Sequence, residues 1–293
     1  MSPSDDRPDS QQDTIGLIAG NGKFPFLVLA EACRLGIPVV TIAIEGEAEA
    51  EIATVAERVH WVGLDQVSRS VELLKRAGVR RALMAGQVKH KQIFRVLRPD
   101  RLLLRVLSRL ETRNPDAILG AVADVLAEEG IELMDSTSFL RPLITSPGTL
   151  GRRRPSREEQ KDIAFGFRIA RELARLDIGQ TVVVKAKAVV AVEAMEGTDE
   201  TIRRAGRVVS SPPGSPGGLT VVKVARPSQD MRFDVPVVGP RTVRVMIDAG
   251  ASVLALEAGK SLLLEQDALL RRADEAGIAL VGVTGRDRED GGA

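Results

Sequence analysis

A two-domain α/β fold, with an N-terminal Rossmann-like domain, is predicted by three observations. Short apolar runs alternate with helix-period segments through the first half of the chain, so the first sheet should be mostly parallel. A glycine turn, Gly20-Asn21-Gly22, follows the first such run, as in doubly wound folds. A Pro-, Gly- and Arg-rich stretch over residues 145–155 separates this pattern from a second apolar set and reads as a domain boundary. The expected organisation is a disordered tail at 1–13, a nucleotide-binding domain at 14–148, a second α/β domain at 149–284 and a polar tail at 285–293.

The elements follow in order. Residues 14–19 read as a buried strand, 26–35 as a helix and 38–44 as a second strand ending at Glu45, where an acid could meet a ribose hydroxyl. Pro25 occupies the place of the third glycine of the dinucleotide fingerprint, which argues against an NAD site. Strands at 59–64 and 80–85 flank a helix at 66–77, and Gly86-Gln87-Val88 makes a second turn. In such sheets ligands gather beyond the carboxyl ends of the strands, here Gly20, Asn21, Gly22, Glu45 and Gln87.

Residues 89–113 are basic, and Arg101, Arg105 and Arg109 recur on one side of a helix that carries leucines on another. That pattern suits either a solvated helix packed on the sheet or contact with a membrane or acyl chain. A helix from Asn114-Pro115 to Glu129-Gly130 and a strand at 131–135 complete the first domain.

In the second domain Ser156 with Glu159 forms a capping-box signature for a helix reaching about Leu176. The Val-rich stretch 181–195 reads as one buried strand or a tight pair. It stops at Glu196-Gly197-Thr198-Asp199-Glu200, where Gly197 permits a sharp bend, Thr198 is the expected N-cap, and the acids suit a helix start. Free N–H groups there also suit a phosphate, but the carboxylates would repel it unless a divalent cation intervened. Strands are expected at 219–225, carrying Lys223, and at 243–247, 254–264 and 279–283.

Composition narrows the function. A net charge of +1 gives no field to collect nucleic acid. One cysteine and two histidines exclude an internal disulfide and a Cys- or His-based zinc centre; Cys33 is expected to be buried in its helix and His60 packed in its strand. No run of residues is apolar enough to span a bilayer, and the polar N-terminus does not resemble a signal peptide. The second domain instead pools acids (Glu196, Asp199, Glu200, Asp230, Asp234) with cations (Lys185, Lys187, Lys223, Arg226, Arg232). Oxygen ligands select a hard cation such as Mg²⁺ or Mn²⁺, and a lysine can neutralise phosphate charge while a carboxylate orients water. Asp230 and Asp234 read equally well as ion-pair partners of Arg226 or Arg232.

The segments Ile15-Gly16-Leu17-Ile18-Ala19-Gly20-Asn21-Gly22, Ala85-Gly86-Gln87-Val88, Glu196-Gly197-Thr198-Asp199-Glu200, Gln229-Asp230-Met231-Arg232-Phe233-Asp234-Val235-Pro236 and Ala255-Leu256-Glu257-Ala258-Gly259 occur in this order. Together they resemble the LpxI-type UDP-2,3-diacylglucosamine diphosphatases of lipid A biosynthesis, although Asn21 stands where a glycine is expected. The resemblance implies a cytoplasmic hydrolase that holds its substrate between two domains. Water would attack the α-phosphate of UDP-2,3-diacylglucosamine, with Mg²⁺ (or Mn²⁺ or Co²⁺) and neither NAD nor zinc, giving UMP and 2,3-diacylglucosamine 1-phosphate. It implies catalytic roles in the segment of Asp230 and Asp234, joined here by Lys223. Substrate contacts would come from Gly20, Asn21, Gly22, Gln87, Gly197, Thr198 and Arg232, and metal contacts from Asp230, Asp199 and Glu196. The partner is a UDP-linked diacylated glucosamine lipid rather than nucleic acid, with room for peripheral contact with the inner membrane and for a homodimer. The alternative of a different class is a non-catalytic nucleotide-binding or regulatory protein.

Overall fold

A computed structural model describes residues 13–88, 99–110, 115–209 and 218–285. The expected tails at 1–13 and 285–293 therefore lie almost wholly outside the described residues, as do His90, Lys89 and the first half of the basic segment. The described residues fall into two compact units, one within Met1–Phe139 and Met231–Phe233, the other within Leu140–Asp230 and Asp234–Ala293.

Unit 1 is a five-stranded parallel sheet in the order β3-β2-β1-β4-β5, formed by β1 (Ile15–Ala19), β2 (Val39–Ile44), β3 (Arg58–Val62), β4 (Arg81–Ala85) and β5 (Glu132–Leu133). This is the doubly wound order, and the inner strands β1 and β2 are almost wholly apolar because helices cover both faces. The helices are α1 (Phe24–Arg34), α2 (Ile52–Val55), α3 (Val67–Arg76), α4 (Arg101–Ser108) and α5 (Pro115–Glu128). Leu17, Ile42 and Leu83 are fully buried in the sheet. Two expectations fail here for geometric reasons. Cys33 is exposed, because α1 buries Phe24, Pro25, Val28, Leu29 and Ala32, and the next position turns about 100° away. His60 is exposed too, since β3 is the edge strand.

Residues Met231–Phe233, distant in sequence, complete unit 1. The Ser136 N–H donates to the Met231 carbonyl (3.0 Å), the buried Ser136 hydroxyl lies within hydrogen-bond reach of the Met84 and Arg232 carbonyls, and Phe233 packs on the core.

Unit 2 has a six-stranded mixed sheet ordered β6-β13-β11-β9-β7-β8. Its strands are β6 (Gly148–Thr149), β7 (Thr181–Lys185), β8 (Ala188–Val192), β9 (Leu219–Lys223), β11 (Ala251–Glu257) and β13 (Ala279–Val283); β10 (Val237–Val238) and β12 (Leu262–Leu263) form a separate parallel pair. β9, β11 and β13 run parallel, while β7–β8 is the tight antiparallel pair. Helix α6 (Arg157–Arg175), with the capping box made by Ser156 and Glu159, covers one face through Ile163, Phe167 and Ala170. Helices α7 (Thr198–Val209), α8 (Pro240–Asp248) and α9 (Gln266–Glu275) cover the other through Ile202, Met246 and Leu269.

The expected strand at 243–247 lies in α8. Gly239-Pro240 starts a helix whose buried Thr242, Val243, Val245 and Met246 face the sheet, so tertiary packing overrides the β-propensity of a Val-rich run. The expected 254–264 strand divides into β11 and β12 around Gly259, and α9 was not anticipated. The boundary also differs from the expected 148/149. Gly148–Thr149 pairs with β13, and the units divide after Phe139.

Candidate active site

In unit 2, three elements bring polar groups to the carboxyl end of β9. Thr181 opens β7 opposite Lys223, which closes β9, and Thr198 begins α7. After β8 the chain keeps pairing for one more residue, with the Glu193 N–H donating to the Thr181 carbonyl (2.8 Å). It then turns through Gly197, whose φ of +82° favours glycine. Thr198 is the first helical residue rather than the expected N-cap, because its hydroxyl is drawn into the site instead of onto the helix N–H groups.

Lys223 is 5% exposed, and its ammonium donates to Thr198 Oγ1 at 2.7 Å. Thr198 Oγ1 lies 2.9 Å from Glu193 Oε1 and 3.2 Å from Thr181 Oγ1. Burial pushes the Lys223 ammonium below the ordinary lysine range, and the charges of Glu193, Asp234 and Asp199 oppose that shift. A buried cation held by a hydroxyl within the field of nearby carboxylates is suited to meet phosphate charge.

Of the expected site residues, Thr198 bonds the Lys223 ammonium, and the charges of Asp199 and Asp234 act on it. Asp199 is also paired with Arg241 of α8 (2.9 Å). Asp234 Oδ2 accepts from Arg226 and from Gln229 Nε2 (2.8 Å), and its N–H donates to the Asp230 carbonyl (2.8 Å), closing one helical turn between the two aspartates. The ion-pair role for Asp234 is therefore realised alongside its place near Lys223.

Glu196 is turned to other work. It accepts from Arg204 (2.6 Å), the Ala194 N–H (3.0 Å) and Thr201 (3.3 Å). Its own backbone N–H, then Arg204, hold its carboxyl below the usual range. Among the described residues no three Asp, Glu, His or Cys side chains form a group able to hold a metal ion. The expected set of Asp230, Asp199 and Glu196 is accordingly not assembled: Glu196 stabilises its own turn, and Asp199 answers a guanidinium. The oxygen chemistry suits Mg²⁺, but the geometry is not that of a ready cage.

The remaining expected residues belong to unit 1. The turns after β1 and β4 bond to each other through Gly20 N to Ala85 O (2.8 Å), Asn21 N to Gln87 O (2.7 Å) and Gln87 N to Asn21 O (2.9 Å). Asn21 Nδ2 donates to the Glu47 carbonyl (3.1 Å). The approach is so close that a Cβ on Gly86, which has φ +92°, would sit 2.6 Å from the Asn21 carbonyl oxygen. The N–H groups of Gly20, Asn21 and Gln87 are therefore used by backbone. Arg232 stacks its guanidinium near the Phe233 ring, 5.8 Å from the centroid.

Sequence reasoning missed Glu193 and Thr181. Their signal was position: they bracket the Val-rich pair of strands, and the pairing that sets Thr181 opposite Lys223 puts both beside the lysine.

The model of the LpxI N-terminal domain matches residues 14–143, and that of the LpxI C-terminal domain matches 146–281. A curated relative, the UDP-2,3-diacylglucosamine pyrophosphatase LpxI of Caulobacter vibrioides, is 30% identical over 279 residues, covering 94% of this chain and 99% of the relative. Among solved structures, the biotin carboxylase subunit of pyruvate carboxylase is 17% identical with a TM-score of 0.24, over 67% of this chain and 41% of that one. Biotin carboxylase of Campylobacter jejuni is 13% identical with a TM-score of 0.26, over 71% and 44%. The chain thus spans less than half the length of either carboxylase.

Proposed function

The chain belongs to the LpxI family, and from that premise we propose that it is a lipid A pathway diphosphatase acting on UDP-2,3-diacylglucosamine. Water attacks the α-phosphorus, the bond from that phosphorus to the bridging oxygen breaks, and the products are UMP and 2,3-diacylglucosamine 1-phosphate. The observation that carries this reading is the buried Lys223 ammonium, held by Thr198 and under the charges of Glu193, Asp234 and Asp199. In this role Lys223 neutralises charge growing on the phosphate oxygens, and Gly197 and Thr198 contact the same group. Asp230 or Asp234 orients the water and takes its proton; Arg226 and Gln229 fix the orientation of Asp234. Gly20, Asn21, Gly22 and Gln87 contact the uridine part, and Arg232 the substrate.

A divalent cation, Mg²⁺ with Mn²⁺ or Co²⁺ as substitutes, belongs to the proposal as an ion that arrives with the substrate diphosphate, since these ions rarely need a full protein cage. We place the protein in the cytoplasm, with peripheral contact to the inner membrane and a homodimeric assembly. Among the described residues no helix is long and apolar enough to cross a membrane, and Leu104 and Leu107 of α4 are exposed for surface contact.

The test is hydrolysis of detergent-dispersed UDP-2,3-diacylglucosamine in ¹⁸O-water with each metal added. The expected result is ¹⁸O in UMP and a loss of about 100-fold or more in Asp230→Asn or Asp234→Asn. Label in the lipid phosphate overturns the site of attack. Full activity in both variants overturns the catalytic assignment, and no hydrolysis by the wild type with any metal leaves the nucleotide-binding reading.

A further inference from the structure

The hydrogen-bond inventory around Thr198 fixes the direction of each bond. A hydroxyl has one proton and two lone pairs, and the Lys223 ammonium can only donate. Thr198 therefore accepts from Lys223 (2.7 Å), and its single proton is left for Glu193 Oε1 (2.9 Å). Thr181, at 3.2 Å, donates into the second lone pair. The result is a one-way chain from Lys223 through Thr198 to Glu193.

Glu193 is an unusual end for such a chain. The residue is 6% exposed, and its Oε2 is buried with no hydrogen-bond partner among the described residues. An unsatisfied buried oxygen is costly, so its charge needs another justification. The charges of three carboxylates act on Lys223: Glu193, Asp234 and Asp199. Asp234 is already answered by Arg226 and Asp199 by Arg241, whereas no described Lys or Arg forms an ion pair with Glu193. Its charge is thus the one left to serve Lys223.

We propose that Glu193 is a positioning residue for the diphosphate hydrolysis, holding Lys223 in place as an ammonium through Thr198. The inference rests on the function proposed above, so its test includes a readout that needs no turnover. Lysine methylene carbons are labelled with ¹³C in the full-length protein, the Lys223 signal is assigned by its loss in Lys223→Arg, and its titration is followed by NMR. Glu193→Gln keeps the shape and removes the charge; the Lys223 midpoint falls by about one pH unit, and the alkaline limb of kcat moves down with it. Glu193→Asp keeps the charge and shifts the midpoint less. An unmoved midpoint in Glu193→Gln, or equal shifts in both variants, overturns the proposal. If Glu193→Gln does not fold, Thr198→Val cuts the chain at its middle and must lower the midpoint in the same direction; a wild-type titration there overturns it as well. A wild type that hydrolyses nothing removes the reaction from both proposals, and the titration then decides the Glu193–Lys223 coupling alone.

Discussion

The two units each present a glycine turn at the carboxyl end of a sheet, yet they build it from different materials. In unit 1 the turns after β1 and β4 are tied by backbone hydrogen bonds, and the close approach at Gly86 leaves no room for a side chain. Ion pairs of this unit, such as those of Arg109 with Glu128 and Lys75 with Glu129, lie on its surface. In unit 2 the turn at Gly197 is tied by side chains, and a lysine is buried beneath it among carboxylates. Backbone gives a turn fixed shape without titrating, and so suits recognition. Buried charge gives a turn a field, at a desolvation cost that must be met by partners.

The strongest test of this contrast is Lys223→Met. If the charge of unit 2 serves the reaction, kcat falls by about 100-fold or more. Stability also falls, by about 3 kcal/mol, because Glu193 is left buried without its counter-charge. The double variant Lys223→Met/Glu193→Gln separates the two roles: it should recover part of the stability in urea denaturation and none of the turnover. Normal turnover in either variant would make the buried lysine structural and erase the difference between the turns.

How much of this was readable in the chain follows from how local each feature is. The strands and turns of unit 1, the Ser156–Glu159 capping box and the tight β7–β8 pair depend on residues close in sequence, and each appears within a few residues of its expected place. Helix α8 is not legible locally, because Val243 and Val245 favour a strand in isolation and only the sheet beneath decides otherwise. Lys223, Thr198, Asp199 and Asp234 stand out in the sequence as residue types, but the β7–β9 register that sets Thr181 opposite Lys223 does not. Glu193 escaped notice for that reason. The attachment of Met231–Phe233 to unit 1 rests on Ser136, almost a hundred positions away, and no local pattern announces it.

A second, smaller effect sharpens the unit 1 half. Gly86 and Gly22 have nearly the same φ, +92° and +96°, but a Cβ at Gly86 meets the Asn21 carbonyl at 2.6 Å whereas at Gly22 nothing lies within 4 Å. Gly22→Ala therefore carries the conformational strain alone, about 1 kcal/mol, while Gly86→Ala adds the lost approach and costs about 3 kcal/mol. Equal losses in chemical denaturation would mean that the turns are not locked by proximity.

The smallest effect concerns the charges of unit 1. Arg109 forms a two-pronged pair with Glu128 (2.8 and 3.1 Å), and Arg105 stands 3.5 Å from Glu128 and 3.6 Å from Glu129. These arginines join α4 to α5, so replacing them with glutamate would break a helix contact as well as any membrane contact. The hydrogen bond from Arg109, then its charge and that of Arg105, hold the Glu128 carboxyl below its usual range. A depressed carboxylate contributes stability above its unfolded value, roughly 4.3, and loses it as pH falls through the lower folded value. In a double-mutant cycle of Arg109→Gln with Glu128→Gln, the coupling should be present at pH 7 in low salt, vanish on acidification below that window, and be screened away by 1 M salt. The accompanying fall in Tm should be smaller than that of Gly22→Ala. A coupling that survives both acid and salt would show that unit 1 also relies on desolvated charge, and the contrast with the Lys223 turn would then lie in placement rather than in kind.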